Sequence, residues 1–153
     1  MGKGIGIAVI AVIAFVVFIL ATNPEAGEFF SSEPKPDVRF YDSPVLKEDK
    51  IKKGTSTNIM VMARNFEEEA VKNVEVHLSV IEGGNWESHL EFPPVTKLGD
   101  IDTELGITSP PKYIEITAKD VSGIDPRFKI QLELFANELS TGNTKTYEIT
   151  LTE

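Results

Sequence analysis

Few residues of this 153-residue chain have a type and spacing that could do chemistry. The stretch GDIDTELG sets Asp100, Asp102 and Glu104 at alternate positions. Alternate carboxylates can converge on one side of an extended or looped segment, which is how calcium sites recruit hard oxygen ligands. The same spacing also suits an acidic loop facing water, and the stretch lacks the sixth-position Gly and distal Glu of an EF-hand. The loop NFEEEA clusters Glu67, Glu68 and Glu69. It reads as a solubilising turn, or as a charged tip that greets a basic partner. Trp86 follows Gly83, Gly84 and Asn85 at a strand end. It suits either a lid over the edge of a core or an exposed aromatic anchor for binding. His77 and His89 stand apart, with no His-x-His or His-x3-His spacing to gather a metal.

The remaining catalytic patterns are missing from the sequence. There is no Gly-x-Ser-x-Gly elbow for a serine nucleophile, and no Gly-rich loop of a kind that cradles phosphates. With no cysteine, disulfides, thiolate metal sites, a Cys nucleophile and a lipidated Cys anchor are all excluded. The expectation is a protein without catalytic residues or a cofactor. The formal net charge is −9, and Lys3 is the only charged side chain before Glu25, so the rest of the chain carries −10. Such a surface repels nucleic acid, which is bound mainly by Lys and Arg neutralising phosphates. Anionic lipid headgroups would repel it too.

The elements that must position these residues are strands. Apolar residues alternate at period two in residues 38–42, 55–65, 71–82, 113–120, 127–137 and 144–152. In the second run Ile59, Val61 and Ala63 oppose Asn58, Met60, Met62 and Arg64. In the third, Val74, Val76, Leu78 and Val80 oppose Glu75, His77 and Ser79. The stretches EGGN, SPPK, SGIDP and STGN carry turn chemistry between runs. Residues 91–105 are less regular and predict one or two short strands. About seven short strands over residues 38–153 imply an all-β, immunoglobulin-like antiparallel β-sandwich.

Upstream the pattern differs. Residues 5–21 form an unbroken run of 17 apolar or Gly positions, roughly 25 Å long as a helix against a hydrocarbon core of about 30 Å. That length exceeds the apolar part of a secretion signal, roughly 7 to 15 residues. The expected organisation is a cytoplasmic stub at 1–4, a retained transmembrane helix at 5–22, a tether at 23–37 and the sandwich at 38–153. Lys3 precedes the run while Glu25, Glu28 and Glu33 follow it, which orients the C-terminal part outward. The tether NPEAGEFFSSEPKPD holds three prolines and four acids, a composition that favours an extended chain. Cleavage near ATNPEAG remains an alternative fate for the run.

Two resemblances bear on this organisation. MGKGIGIAV resembles the processing site of archaeal type IV pilin and archaellin precursors, with Lys3 and Gly4 as the match and the cut before Ile5. Val9 stands where a Glu is usual, so the chain departs from that pattern. Residues 36–80 resemble CARDB-type, immunoglobulin-like adhesion modules of archaeal and bacterial surface proteins. The matching features are the Pro-Asp opening, the turn at Lys53 and Gly54, the strand end at Arg64 and Asn65, and the strand from Ala70 to Val74. Glu67, Glu68 and Glu69 replace the small residues common in that loop. The resemblance implies a β-sandwich at the cell surface and a protein partner, but no chemistry. The expected partners are the lipid bilayer, through the N-terminal helix, and an envelope, surface-layer or membrane-complex protein. A pilus or archaellum accessory protein, or a non-catalytic subunit of a membrane enzyme complex, are the alternatives.

Overall fold

The computed structural model describes residues 34–102, 108–121 and 126–153. The stub, the apolar run, most of the tether and Glu104 lie outside the described residues, and among the described residues no helix is long and apolar enough to cross a membrane. The packed unit is Lys35–Glu153, so the last tether residues join it: Pro36 is buried and its carbonyl accepts the Val38 N–H at 2.9 Å.

Among the described residues the unit has eleven strands: β1 (Val38–Phe40), β2 (Val45–Leu46), β3 (Lys50–Lys52), β4 (Ser56–Val61), β5 (Ala63–Asn65), β6 (Val71–Glu82), β7 (Leu90–Glu91), β8 (Val95–Ile101), β9 (Lys112–Ala118), β10 (Arg127–Ala136) and β11 (Leu139–Thr152). One sheet runs β3-β11-β10-β6-β8, a second runs β2-β4-β9-β7, and β1 pairs with β5. Inward positions of both sheets meet in one core. It includes Ile59, Val61, Ile114 and Ile116 from the four-stranded sheet, with Val76, Ile130, Leu132, Leu134 and Ile149 from the five-stranded sheet. All of these are fully buried. Most are β-branched, and such side chains sit well on a pleated, half-buried surface. Each buried aliphatic side chain contributes roughly 1.5–3 kcal/mol from leaving water.

The pairing of β4 with β9 in one layer and of β6, β10 and β11 in the other is the immunoglobulin-like scheme. Short β7 pairs with β9 before the chain returns to lay β8 beside β6, a departure from the usual order, in which the strand beside β6 comes first. β4, β6, β9 and β10 begin within one residue of their expected starts, β8 falls in the irregular stretch 91–105, and β11 begins five residues early, at Leu139.

Three features differ from expectation. First, β2 and β3 are additional strands. Each has two or three residues, and Ile51 is the single buried side chain between exposed Lys50 and Lys52, so no alternation announces them. Second, the sandwich is not wholly antiparallel, because β3 pairs parallel with β11. The chain leaves β2 in one sheet and enters β3 in the other, which closes both edges with one short segment. Third, STGN is not the turn before the last strand. The hairpin turns at Asn137 and Glu138, both with positive φ, as two-residue hairpins require. STGN forms a bulge within β11, where the register slips between Glu133 and Phe135. Gly142 supplies a φ of 75° there, and the Thr141 hydroxyl donates to the Leu134 carbonyl at 2.9 Å.

Tyr147 links the layers. From β11 its hydroxyl donates a short hydrogen bond to the Pro44 carbonyl, just ahead of β2. Partial burial raises the phenol above its ordinary value. Tyr147→Phe should cost about 1 kcal/mol, the net worth of one hydrogen bond. A raised acid contributes stability that is complete below the unfolded value and lost as pH rises through the folded one. The gap between wild type and the Phe variant should therefore narrow above about pH 10. Urea melts at pH 7 and pH 10.5 would read this.

Candidate interaction surface

The alternate acids do not act together among the described residues. Asp100 lies near the end of β8, and its Oδ1 accepts the Asn73 N–H at 3.0 Å. Asn73 has a φ of 50° and sits in the register shift between Val71, opposite Ile101, and Val74, opposite Gly99. The carboxylate thus satisfies a backbone donor that a bulge withdraws from the ladder. Exposed Asp102 offers its backbone carbonyl to Asn65 Nδ2 at 3.4 Å. Glu104 lies outside the described residues. Among the described residues no three His, Asp or Glu side chains gather to hold a metal.

The acidic loop is built on Asn65, which is 1% exposed. Its Oδ1 accepts the Glu67 N–H at 2.8 Å, and its Nδ2 donates to the Glu69 carbonyl at 2.9 Å. Glu67 has a structural partner of its own: Oε1 accepts the Asp37 N–H in a short hydrogen bond. Glu68 and Glu69 are exposed. Trp86 occupies a single 3-10 turn, Trp86–Ser88. Its ring stacks on Phe92, with centroids 5.1 Å apart, and packs half-buried against the core. The lid position fits this, with one face of the ring occupied.

His77 is outward, as its strand predicts; its ring stacks on Phe135 at 4.0 Å and its Nε2 is 3.2 Å from Glu75 Oε2. His89 leans over Phe128 at 5.8 Å, and its buried Nδ1 has no partner among the described residues.

The two outer faces of the sandwich differ. That of the five-stranded sheet carries Glu75, His77, Ser79, Lys129, Gln131, Glu133 and Glu148, tied by pairs such as Lys129 to Glu82 at 2.9 Å. Its exposed large apolar residues are Ile81 and Val95. The opposite face follows β4 and β5, which form one run interrupted at Met62. Burial alternates without a break across the interruption, so Asn58, Met60, Met62 and Arg64 all face outward. Val45 and Tyr113 flank Met60 in register, and Tyr41 donates its N–H to the Met62 carbonyl at 2.9 Å. Val45 is 53% exposed and Tyr113 66%; Tyr41 and Phe66 are also exposed. Val45, Lys47, Asn58, Met60 and Tyr113 together line a shallow, mostly apolar hollow.

Arg39 and Arg64 stand directly opposite one another at the far end of this face. The Phe66 ring takes both guanidiniums, at 4.8 and 5.1 Å from its centroid. Asp37 binds Arg39 through two hydrogen bonds of 2.7 and 3.0 Å, and this raises the Arg39 pKa. Tyr41 and Phe66 lie just beyond strand ends and Val45 lies in a two-residue strand, so no alternation assigns them a face, whereas Tyr113 is outward by the alternation of its strand. The signal that was available is Met60 and Met62, apolar residues at positions where alternation calls for polar ones.

No protein-family model matches the chain, and no curated protein is similar to it. Solved structures resemble it at the level of fold. The ZirS C-terminal domain aligns at 18% identity over 82% of this chain and 73% of its own, with a TM-score of 0.46. The CARDB domain of PF1109 from Pyrococcus furiosus aligns at 13% identity over 77% and 94%, with a TM-score of 0.40. The alkylpurine DNA glycosylase AlkC of Pseudomonas fluorescens aligns at 14% identity over 77% of this chain and a TM-score of 0.46; the chain spans only 31% of its length.

Proposed function

We propose that the chain is a membrane-tethered, extracytoplasmic β-sandwich that binds another protein of the cell envelope and performs no catalysis itself. The observation that carries this reading is the order of parts along the sequence: 17 apolar or Gly positions, a proline-bearing acidic stretch, then a strand module. A helix at 5–22 confines the sandwich to a thin shell beside the bilayer, which raises its effective concentration for partners there. The CARDB-type features of residues 36–80 support an adhesion role, and so does the unequal character of the two outer faces. Fractionation tests the reading. Full-length chain should stay with membranes through alkaline carbonate extraction, and protease added outside intact cells should digest residues 38–153. Removal of residues 1–22 should release the chain. Recovery of the full-length chain in the soluble cytosol would overturn the proposal.

A second reading rests on Lys3 and Gly4. If a pilin-type peptidase cuts before Ile5, the mature chain begins at residue 5 and joins a pilus or archaellum as an accessory protein. The intact mass of the purified chain decides between the two, since the plain anchor keeps residues 1–4.

A further inference from the structure

The outer face of β2, β4 and β9, continued by β1 and β5, combines properties that are separate elsewhere on the molecule. Four of the six exposed large apolar side chains among the described residues lie on it: Tyr41, Val45, Phe66 and Tyr113. Met60 and Met62 lie between them. Aromatic residues, Met and Arg are the types enriched where proteins meet, and Met adapts its shape to whatever covers it. An apolar face of this kind is unusual on an isolated acidic domain.

Charge indicates what covers it. Like charges placed directly opposite on paired strands destabilise a sheet, yet Arg39 and Arg64 occupy such a pair. Asp37 answers Arg39 alone. Among the described residues Arg64 has the Phe66 ring and no carboxylate, and its Nε is buried without an acceptor. A buried, charged donor left unpaired is costly. Lys47 beside the hollow shares its row with exposed Glu115, which lies opposite Asn58 on the same face, so among the described residues Arg64 is the cation of this face left for a partner's carboxylate. The open edge of β8 is a weaker candidate for contact, because Lys97, the positive φ of Gly99 and two register shifts guard it against strand addition.

We infer that this face docks a polypeptide segment of a partner protein whose apolar side chains cover Val45, Met60 and Tyr113 and whose carboxylate pairs with Arg64. The inference rests on the proposed function and specifies its contact.

The test places a photo-crosslinking benzoylphenylalanine at Tyr113 of the full-length chain in its own cells, with Thr146 on the opposite face as control. The expected result is a polypeptide adduct at 113 and little at 146, with Asp or Glu within a few residues of the crosslinked site. Arg64→Glu should reduce the adduct by about tenfold or more, as removal of a close interfacial charge pair does, while Arg64→Lys retains more of it. Met62→Glu gives the same reading where Arg64→Glu fails to fold. A lipid adduct, an adduct with a second copy of this chain, or an adduct indifferent to Arg64→Glu and Met62→Glu would overturn the inference. Polypeptide adducts at 146 and none at 113 would overturn it while leaving the proposed function standing. No polypeptide adduct at either position would remove both.

Discussion

A chain carrying Leu132→Ala should lose about 3 kcal/mol of stability, within the roughly 2–5 kcal/mol span for emptying a fully buried leucine site. Leu132 is 0% exposed, in the middle of β10. That strand is the centre of the five-stranded sheet, paired with β11 on one side and β6 on the other. Opposite it lie Leu78 and Lys145, and its side chain points into the core shared by both layers. Neighbours on both sides in the sheet are fixed by ladder hydrogen bonds, so the walls resist collapse into the gap. The lost methyl groups therefore cost both their transfer free energy and a cavity. Urea unfolding followed by circular dichroism would measure it. A loss under about 1 kcal/mol would mean that the site relaxes, and that the core is less tightly packed than its burial implies.

Asn65→Ala is expected to cost roughly 2–3 kcal/mol, by a different route. The residue is as buried as the aliphatic core, but its value lies in three polar contacts, to the Glu67 N–H and to the carbonyls of Glu69 and Asp102. Truncation removes these contacts, and a backbone group left buried and unsatisfied by it costs about 1–3 kcal/mol. The loop should also loosen. Glu67 would then hold the Asp37 N–H less firmly, and hydrogen exchange should quicken at both Asp37 and Glu67. Glu68→Gln, at an exposed position of the same loop, should change stability by less than about 0.5 kcal/mol. A similar loss for the two variants would show that the loop does not hang on Asn65.

These two residues also mark how far the sequence could be read. Leu132 was legible as core, because Phe128, Ile130, Leu132 and Leu134 alternate with Lys129, Gln131 and Glu133, and all four are buried. Asn65 reads from the sequence as the end of a strand, but its role as a buried pin is not legible there. Its partners come from residues 67, 69 and 102, and the last is distant in the chain. The acidic triplet that follows it reads as a charged tip. In the fold one of the three, Glu67, is used to fasten the start of β1. Asp100 changes meaning likewise: spacing suggests a metal ligand, whereas pairing makes it the cap of a bulge.

The all-β class, the inward sets of β4, β6, β9, β10 and the C-terminal half of β11, and the acidic character followed from residue order alone, because alternation and charge are local properties that any neighbour must respect. Which strands sit at the edges, where β3 crosses to run parallel with β11, and which outer face is apolar were decided only by tertiary structure. Those features depend on pairings between residues up to about a hundred positions apart, as between Ile51 and Leu151. Short segments such as Val45–Leu46 carry too few residues to show a period. The approach of Val45, Met60 and Tyr113 to one another exists only once three separate strands lie side by side.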